Sequence, residues 1–299
     1  MNNEENVSLS GTGSTPESRI EFSAAKKGAV ILLLIGYSFL TYNVGGYNSF
    51  IPSDMTLMTR IIVVALLLIT TVLLHQKEGT TGRFWRISAS FLVVSFGLLL
   101  AWFFGRWYSL IPGLSLDTVE GVAIAKFSEV LPIVLAMLVG TWLVEKDFQS
   151  VFLRGGDLRK SLKLSVLISP IGLIPFIALG GLALTVGTDV LIGWIPWLCL
   201  FSFSNAFMEE LMVRGLFLKK YNSLFGEKQS LLLTSVVFAI FHQAIIGYTD
   251  LISFSMFLGI TFALGLSWGY LMQRSDNIWG AVIAHAIADI LFLLTVFGI

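Results

Sequence analysis

Charge is what this chain has least of. Only 13% of its 299 residues are Asp, Glu, Lys or Arg, while 56% are hydrophobic; a soluble domain carries about 25% charged residues, so the chain reads as a membrane protein. The formal net charge is zero, which argues against a nucleic-acid partner. Cysteine is nearly absent: Cys199 stands alone, which excludes an internal disulfide and a cysteine-based metal cluster. In an apolar helix its expected role is packing. No serine occupies a G-x-S-x-G context, there is no H-E-x-x-H, and no A-x-A site follows the first apolar run. Residues 1–25 are polar, without hydrophobic periodicity, and are expected to form a disordered cytosolic tail. The run after Lys26-Lys27 reads as a retained anchor and not as a cleaved signal.

What the chain has in abundance is apolar length. Stretches of about 18 or more residues suffice to cross a hydrocarbon core of roughly 30 Å. They predict an all-α, polytopic helical bundle of about nine spans: 28–44, 56–75, 87–105, 124–144, 164–183, 197–218, 229–247, 251–272 and 278–298. The fourth is expected to start late or to lie partly in the interface, because Glu120, Lys126 and Glu129 crowd its beginning. With the N-terminus in the cytoplasm, sixteen of the nineteen Lys and Arg residues fall inside and only Arg60, Arg106 and Lys126 outside, as the positive-inside rule requires. The connection 145–163 is basic with interleaved Phe and Leu, and reads as a cytosolic loop or a segment lying on anionic lipid. It divides an accessory four-span region, 26–160, from a core, 161–299, that holds everything with chemical character. Gly265-x-x-x-Gly269 suits close helix packing. His75, at a span end near Lys77, needs no function.

Three polar clusters interrupt the apolar runs of that core: Glu209-Glu210-x-x-x-Arg214, Phe238-x-x-x-His242 and His285-x-x-x-Asp289. An ionisable group at membrane depth costs at least about 2.5–3.5 kcal/mol, so each is a candidate for function. Two of the three histidines of the chain lie here. At about 1.5 Å rise per residue, Glu209 lies about 15 Å from Lys219, His242 about 20 Å from Gln229, and His285 and Asp289 about 12 and 18 Å from Asn277. Three helices thus bring polar groups to a common level. Glu210 and Arg214 have the i, i+4 spacing of an ion pair, with the acid N-terminal. Glu209, about 100° round the helix, is left to face a cavity, with Asn205 one turn earlier to orient it. Phe238 is expected to line the pocket.

A carboxylate, two imidazoles and a second carboxyl in a semi-dry pocket suit general-base hydrolysis of an amide by water, with the histidines assisting the base or donating to an oxyanion. The same four residues, Glu209, His242, His285 and Asp289, also form a set of nitrogen and oxygen donors for zinc, and spacing alone does not decide between the two uses. A proton relay in a transporter is a third use of intramembrane ionisable groups.

These motifs, in this order, resemble the CPBP family, the CAAX proteases and bacteriocin-processing enzymes also called Abi. The resemblance rests on Glu209-Glu210-Leu211-Met212-Val213-Arg214-Gly215, on Phe238-x-x-x-His242, and on Asn277-Ile278-Trp279 leading to His285-x-x-x-Asp289. It covers roughly residues 190–297. It implies a metal-independent intramembrane endopeptidase of the glutamate type, without cofactor, in the cell membrane. Its partners would be the lipid bilayer and a peptide or membrane-protein substrate. Glu209 with His242 would activate water, and His285 with residue 289 would hold the oxyanion; Glu210, Arg214, Phe238 and Asn205 would support them. Prenyl-processing members carry Asn at the last position, whereas Asp289 stands here. An ionised aspartate repels an oxyanion, so Asp289 must be protonated, bind water or hold His285 in place. The alternative that the family offers is a non-catalytic scaffold or bacteriocin-immunity protein.

Overall fold

A computed structural model of the chain describes residues 22–47, 51–178, 185–243 and 250–298. Among the described residues it is all helical. The main helices are α1 (Ala24–Ser38), α2 (Thr56–His75), α3 (Trp85–Phe104), α4 (Val119–Glu145), α5 (Leu158–Ile168), α6 (Thr188–Glu210), α7 (Leu218–Phe225), α8 (Glu227–Gln243), α9 (Leu251–Ser275) and α10 (Trp279–Phe297). Among the described residues, eight stretches are long and apolar enough to cross a membrane. Helix α8, with 17 residues, corresponds to the expected span 229–247, whose residues 244–247 lie outside the described part. Large apolar side chains on the outer faces are exposed, as on α2 with Ile61, Leu66, Ile69 and Leu73. In water such a stripe would be a liability; against lipid tails it is the expected outer surface.

Several boundaries differ from the hydropathy pattern for identifiable reasons. Helix α1 begins at Ala24, capped by the Ser23 hydroxyl on the Lys26 amide, within the stretch expected to be a tail; residues 1–21 lie outside the described part. Helix α4 starts at Val119, earlier than expected, with Thr118 as its N-cap. Two of the three charges that argued for a late start are paired, since Lys126 Nζ meets Glu129 Oε2 at 2.8 Å. The expected span 164–183 opens at Leu158, then breaks into a 3₁₀ turn, Ser169–Gly172, around Pro170. Its residues 179–183 are outside the described part.

The connection after α4 is folded against the core. Val151 and Phe152 are buried, the Ile278 amide donates to Phe152 O at 3.1 Å, and the Asp157 amide donates to Ser275 O at 2.8 Å. Gly156 sits at φ +69° against the Asp276 carbonyl, where a side chain would clash, so this turn needs glycine. Val151 and Phe152 therefore anchor this connection to the core, and its main-chain contacts clamp the α9–α10 corner.

Helix α4 packs along α3 and α6, α10 along α6 and α5, and α8 along α9. One buried cluster joins Leu34, Phe91 and Met137 to Met208, Phe241 and Leu271, so a continuous core crosses the boundary drawn at residue 160. Gly280, at the start of α10, donates its amide to Ser161 Oγ at 2.9 Å, and a Cβ there would collide with the Ser161 carbonyl. Gly280→Ala is expected to push α10 off α5 and cost about 1–3 kcal/mol. Thermal unfolding in detergent tests this, and an unchanged midpoint would refute it.

Candidate active site

Helix α6 is mostly apolar, with Ser202, Ser204 and Asn205 in its second half, and at its end the chain changes to a π turn, Leu211–Gly215. The Leu216 amide there reaches back to Leu211 O at 2.9 Å. The wider turn takes the Met212 carbonyl out of the ordinary helical ladder, and the Tyr42 hydroxyl donates to it at 2.9 Å. Such turns often mark functional sites. Here it falls between Glu210 and Arg214 and stacks them: Arg214 Nη1 lies 2.7 Å from Glu210 Oε1, with both side chains fully buried. The guanidinium is 4.2 Å from the centre of the Phe238 ring and 5.7 Å from that of Trp268, so its planar faces meet aromatic π density in place of water.

The Glu210 oxygen bound by Arg214 also accepts from His285 Nδ1 at 2.8 Å. A carboxylate that accepts at Nδ1 fixes the proton there and turns Nε2 toward the cavity. His285 lies flat on Trp268, ring centres 3.9 Å apart at 14°, with the Phe238 edge closing the other side. The second imidazole is fixed in the same manner. His242 Nδ1 donates to the Phe238 carbonyl at 2.9 Å, so its Nε2 also faces inward.

Both Nε2 atoms converge on Glu209. Its Oε2 is 3.5 Å from His242 Nε2 and 3.7 Å from His285 Nε2. That oxygen is buried, and it has no hydrogen-bond partner among the described residues. An unsatisfied buried acceptor is costly, and functional centres are where such costs are retained. Asp289 approaches His285 Nε2 at 3.5 Å through Oδ1. Its Oδ2 accepts from Asn205 Nδ2 at 3.0 Å. Asn205 therefore holds Asp289, and not Glu209 as the helical spacing of α6 had suggested.

All eight residues singled out in the sequence lie in this one region, on α6 and its π turn, α8 and α10. Two features escaped the motif reading. Glu210 is shared between Arg214 and His285, and Trp268 on α9 forms the floor under His285. The signal for Trp268 was its place inside Gly265-x-x-x-Gly269. A Cβ on Gly265 would press on Ser235 of α8 and on Arg214 Nη2, and one on Gly269 on Leu231. The glycines thus bring α9 close to α8, which carries the indole to the site. Among the described residues no group of three or more His, Cys, Asp or Glu side chains is placed to hold a metal ion.

Fold and site together define a multi-pass helical membrane protein with a buried glutamate–histidine centre. Residues 191–291 match the family model described as Rce1-like, type II CAAX prenyl endopeptidase, which is consistent with the CPBP resemblance. That matched third of the chain contains every residue of the centre. Neither the curated proteins nor the solved structures contain a match to this chain.

Proposed function

We propose that this protein is an intramembrane endopeptidase of the cell membrane, with its N-terminus in the cytoplasm, that hydrolyses a peptide bond of a membrane-associated or peptide precursor. The observation that carries the reading is the buried, unpartnered Glu209 Oε2 between two imidazole Nε2 atoms at 3.5 and 3.7 Å.

Glu209 takes a proton from water as the water oxygen attacks the scissile carbonyl carbon, and His242 orients the carboxylate and the water. The carbonyl π pair moves onto oxygen, and a hydrogen bond from His285 Nε2–H stabilises that oxyanion. When the tetrahedral centre collapses, the C–N bond breaks and Glu209 returns the proton to the leaving amine. Glu210 and Arg214 hold His285 upright. Asp289, tied to Asn205 through Oδ2, restrains the imidazole edge through Oδ1, 3.5 Å from His285 Nε2.

The test compares peptide N- and C-termini, in membrane and secreted fractions, from cells expressing wild-type or Glu209→Gln protein at equal abundance. Ends that vanish in the variant are expected, and they identify the cleavage site. Identical ends, with the cellular phenotype intact, would replace this reading with a scaffold or immunity role.

A further inference from the structure

The three cations that break the positive-inside pattern, Arg60, Arg106 and Lys126, all line one cavity of about 600 Å³. Arg60 stands on α2, Lys126 on α4 and Arg106 in the turn after α3, so their convergence is a property of the packing and not of one sequence run. Among the described residues the lining contains a single carboxylate, Glu129, and Lys126 already engages it at 2.8 Å. Three positive charges against one negative leave an excess of two.

Arg60 is fixed by two main-chain contacts, Nη1 on Leu98 O at 2.7 Å and Nη2 on Gly46 O at 2.6 Å. Arg106 is exposed. Both guanidiniums attend the same indole, Trp102, at 5.3 and 4.9 Å from its centre. Like charges gathered round one indole repel each other, and an anion in the cavity they line relieves the repulsion. A cavity of this size falls in the range that binds small groups or peptide side chains.

The cavity adjoins the glutamate–histidine centre. Phe201 forms part of its wall, with Lys126 Nζ 5.9 Å from that ring. Phe201, Asn205 and Glu209 follow one another at i, i+4 and i+8 on one face of α6, so wall and Glu209 are about 12 Å apart along the helix. On the other side Tyr47, also in the lining, packs on Phe241 at 5.4 Å, and Phe241 packs on His242 at 5.1 Å. The charge of Lys126 acts on both Glu209 and Asp289.

We propose that this cavity is a substrate subsite that takes an acidic side chain of the peptide. The inference rests on the peptidase reading above. An extended chain advances about 3.3–3.6 Å per residue, so about 12 Å places the acidic group three to four residues from the scissile bond. The recess is joined to the hydrolytic centre by a shared helix face, and this favours the peptide over a lipid phosphate as the source of the anion.

The experiment uses full-length protein in phosphatidylcholine nanodiscs. The probes are synthetic peptides built on the cut sequence found in the Glu209→Gln comparison, with Asp or Asn at each of the six positions flanking the bond. Wild-type protein is expected to favour Asp over Asn by about five- to tenfold at one position three or four residues away. Arg106→Gln should erase that preference through KM for the Asp peptide, and Arg106→Glu should shift it toward a Lys peptide. An Asp preference that survives in Arg106→Gln would overturn the subsite, as would equal losses on both peptides. Dependence on added phosphatidylglycerol, with no dependence on the peptide acid, would assign the cavity to lipid and equally overturn it. Absence of any Glu209-dependent cleavage would instead sink the peptidase reading, and the subsite with it.

Discussion

Arg214→Met protein is expected to lose about 3–5 kcal/mol of stability, because the substitution strands the Glu210 carboxylate in a fully desolvated site. Arg214 and Glu210 are both completely buried and 2.7 Å apart. The guanidinium also covers the Phe238 ring at 4.2 Å. Methionine keeps most of that volume and contact, so the loss isolates the charge and not the packing. A Glu210→Gln/Arg214→Met double variant removes both charges and should recover more than half of the loss. Lysine should not rescue the site, since an ammonium cannot lie flat on Phe238 while it bonds Glu210. The measurement is thermal or denaturant unfolding in detergent for the two single variants and the double. A double variant no better than Arg214→Met alone would show that the pair is not held together by charge.

The second large effect is on turnover. Glu209→Gln should lower hydrolysis by about 10²–10⁴-fold, the usual contribution of a general base. His242→Ala alone should cost a similar amount, and the two together little more than either, because residues that move one proton act as a unit. Stability supplies the internal control. Glu209 Oε2 makes no hydrogen bond among the described residues, so a neutral amide there should leave the melting temperature unchanged or raise it. Loss of activity with retained stability is what separates a base from a structural acid. Additive losses from Glu209→Gln and His242→Ala would break the proposed partnership, and a fall in melting temperature for Glu209→Gln would assign Glu209 a packing role.

The contrast between Glu209 and Glu210 shows where reading along the chain reaches its limit. Adjacent acids on a helix point about 100° apart, so a division of labour between them follows from their order alone. That Glu210 belongs with Arg214 follows from i, i+4 spacing, and the 2.7 Å contact agrees. That Glu210 also holds His285, 75 residues away, does not follow from any spacing. Asn205 illustrates the opposite case. Its place one turn before Glu209 suggested one partner, and the fold gave it Asp289, 84 residues distant. Lys126 made the fourth span look weak until its pairing with Glu129 could be seen.

By itself the sequence determined the membrane class, the helical character and which ionisable residues interrupt the apolar runs. These rest on local quantities: charge content, apolar run length, and the rarity of ionisable groups within those runs. Only the tertiary structure decided how each helix is rotated about its axis and which helix stands beside it. Those choices place Trp268 beneath His285, turn Asn205 to Asp289, and gather Arg60, Arg106 and Lys126 round one cavity. Helical periodicity says which residues share a face, but in a bundle apolar on most sides it does not say what that face meets. That is settled by close packing at Gly265, Gly269 and Gly280, and by the π turn that stacks Arg214 on Glu210.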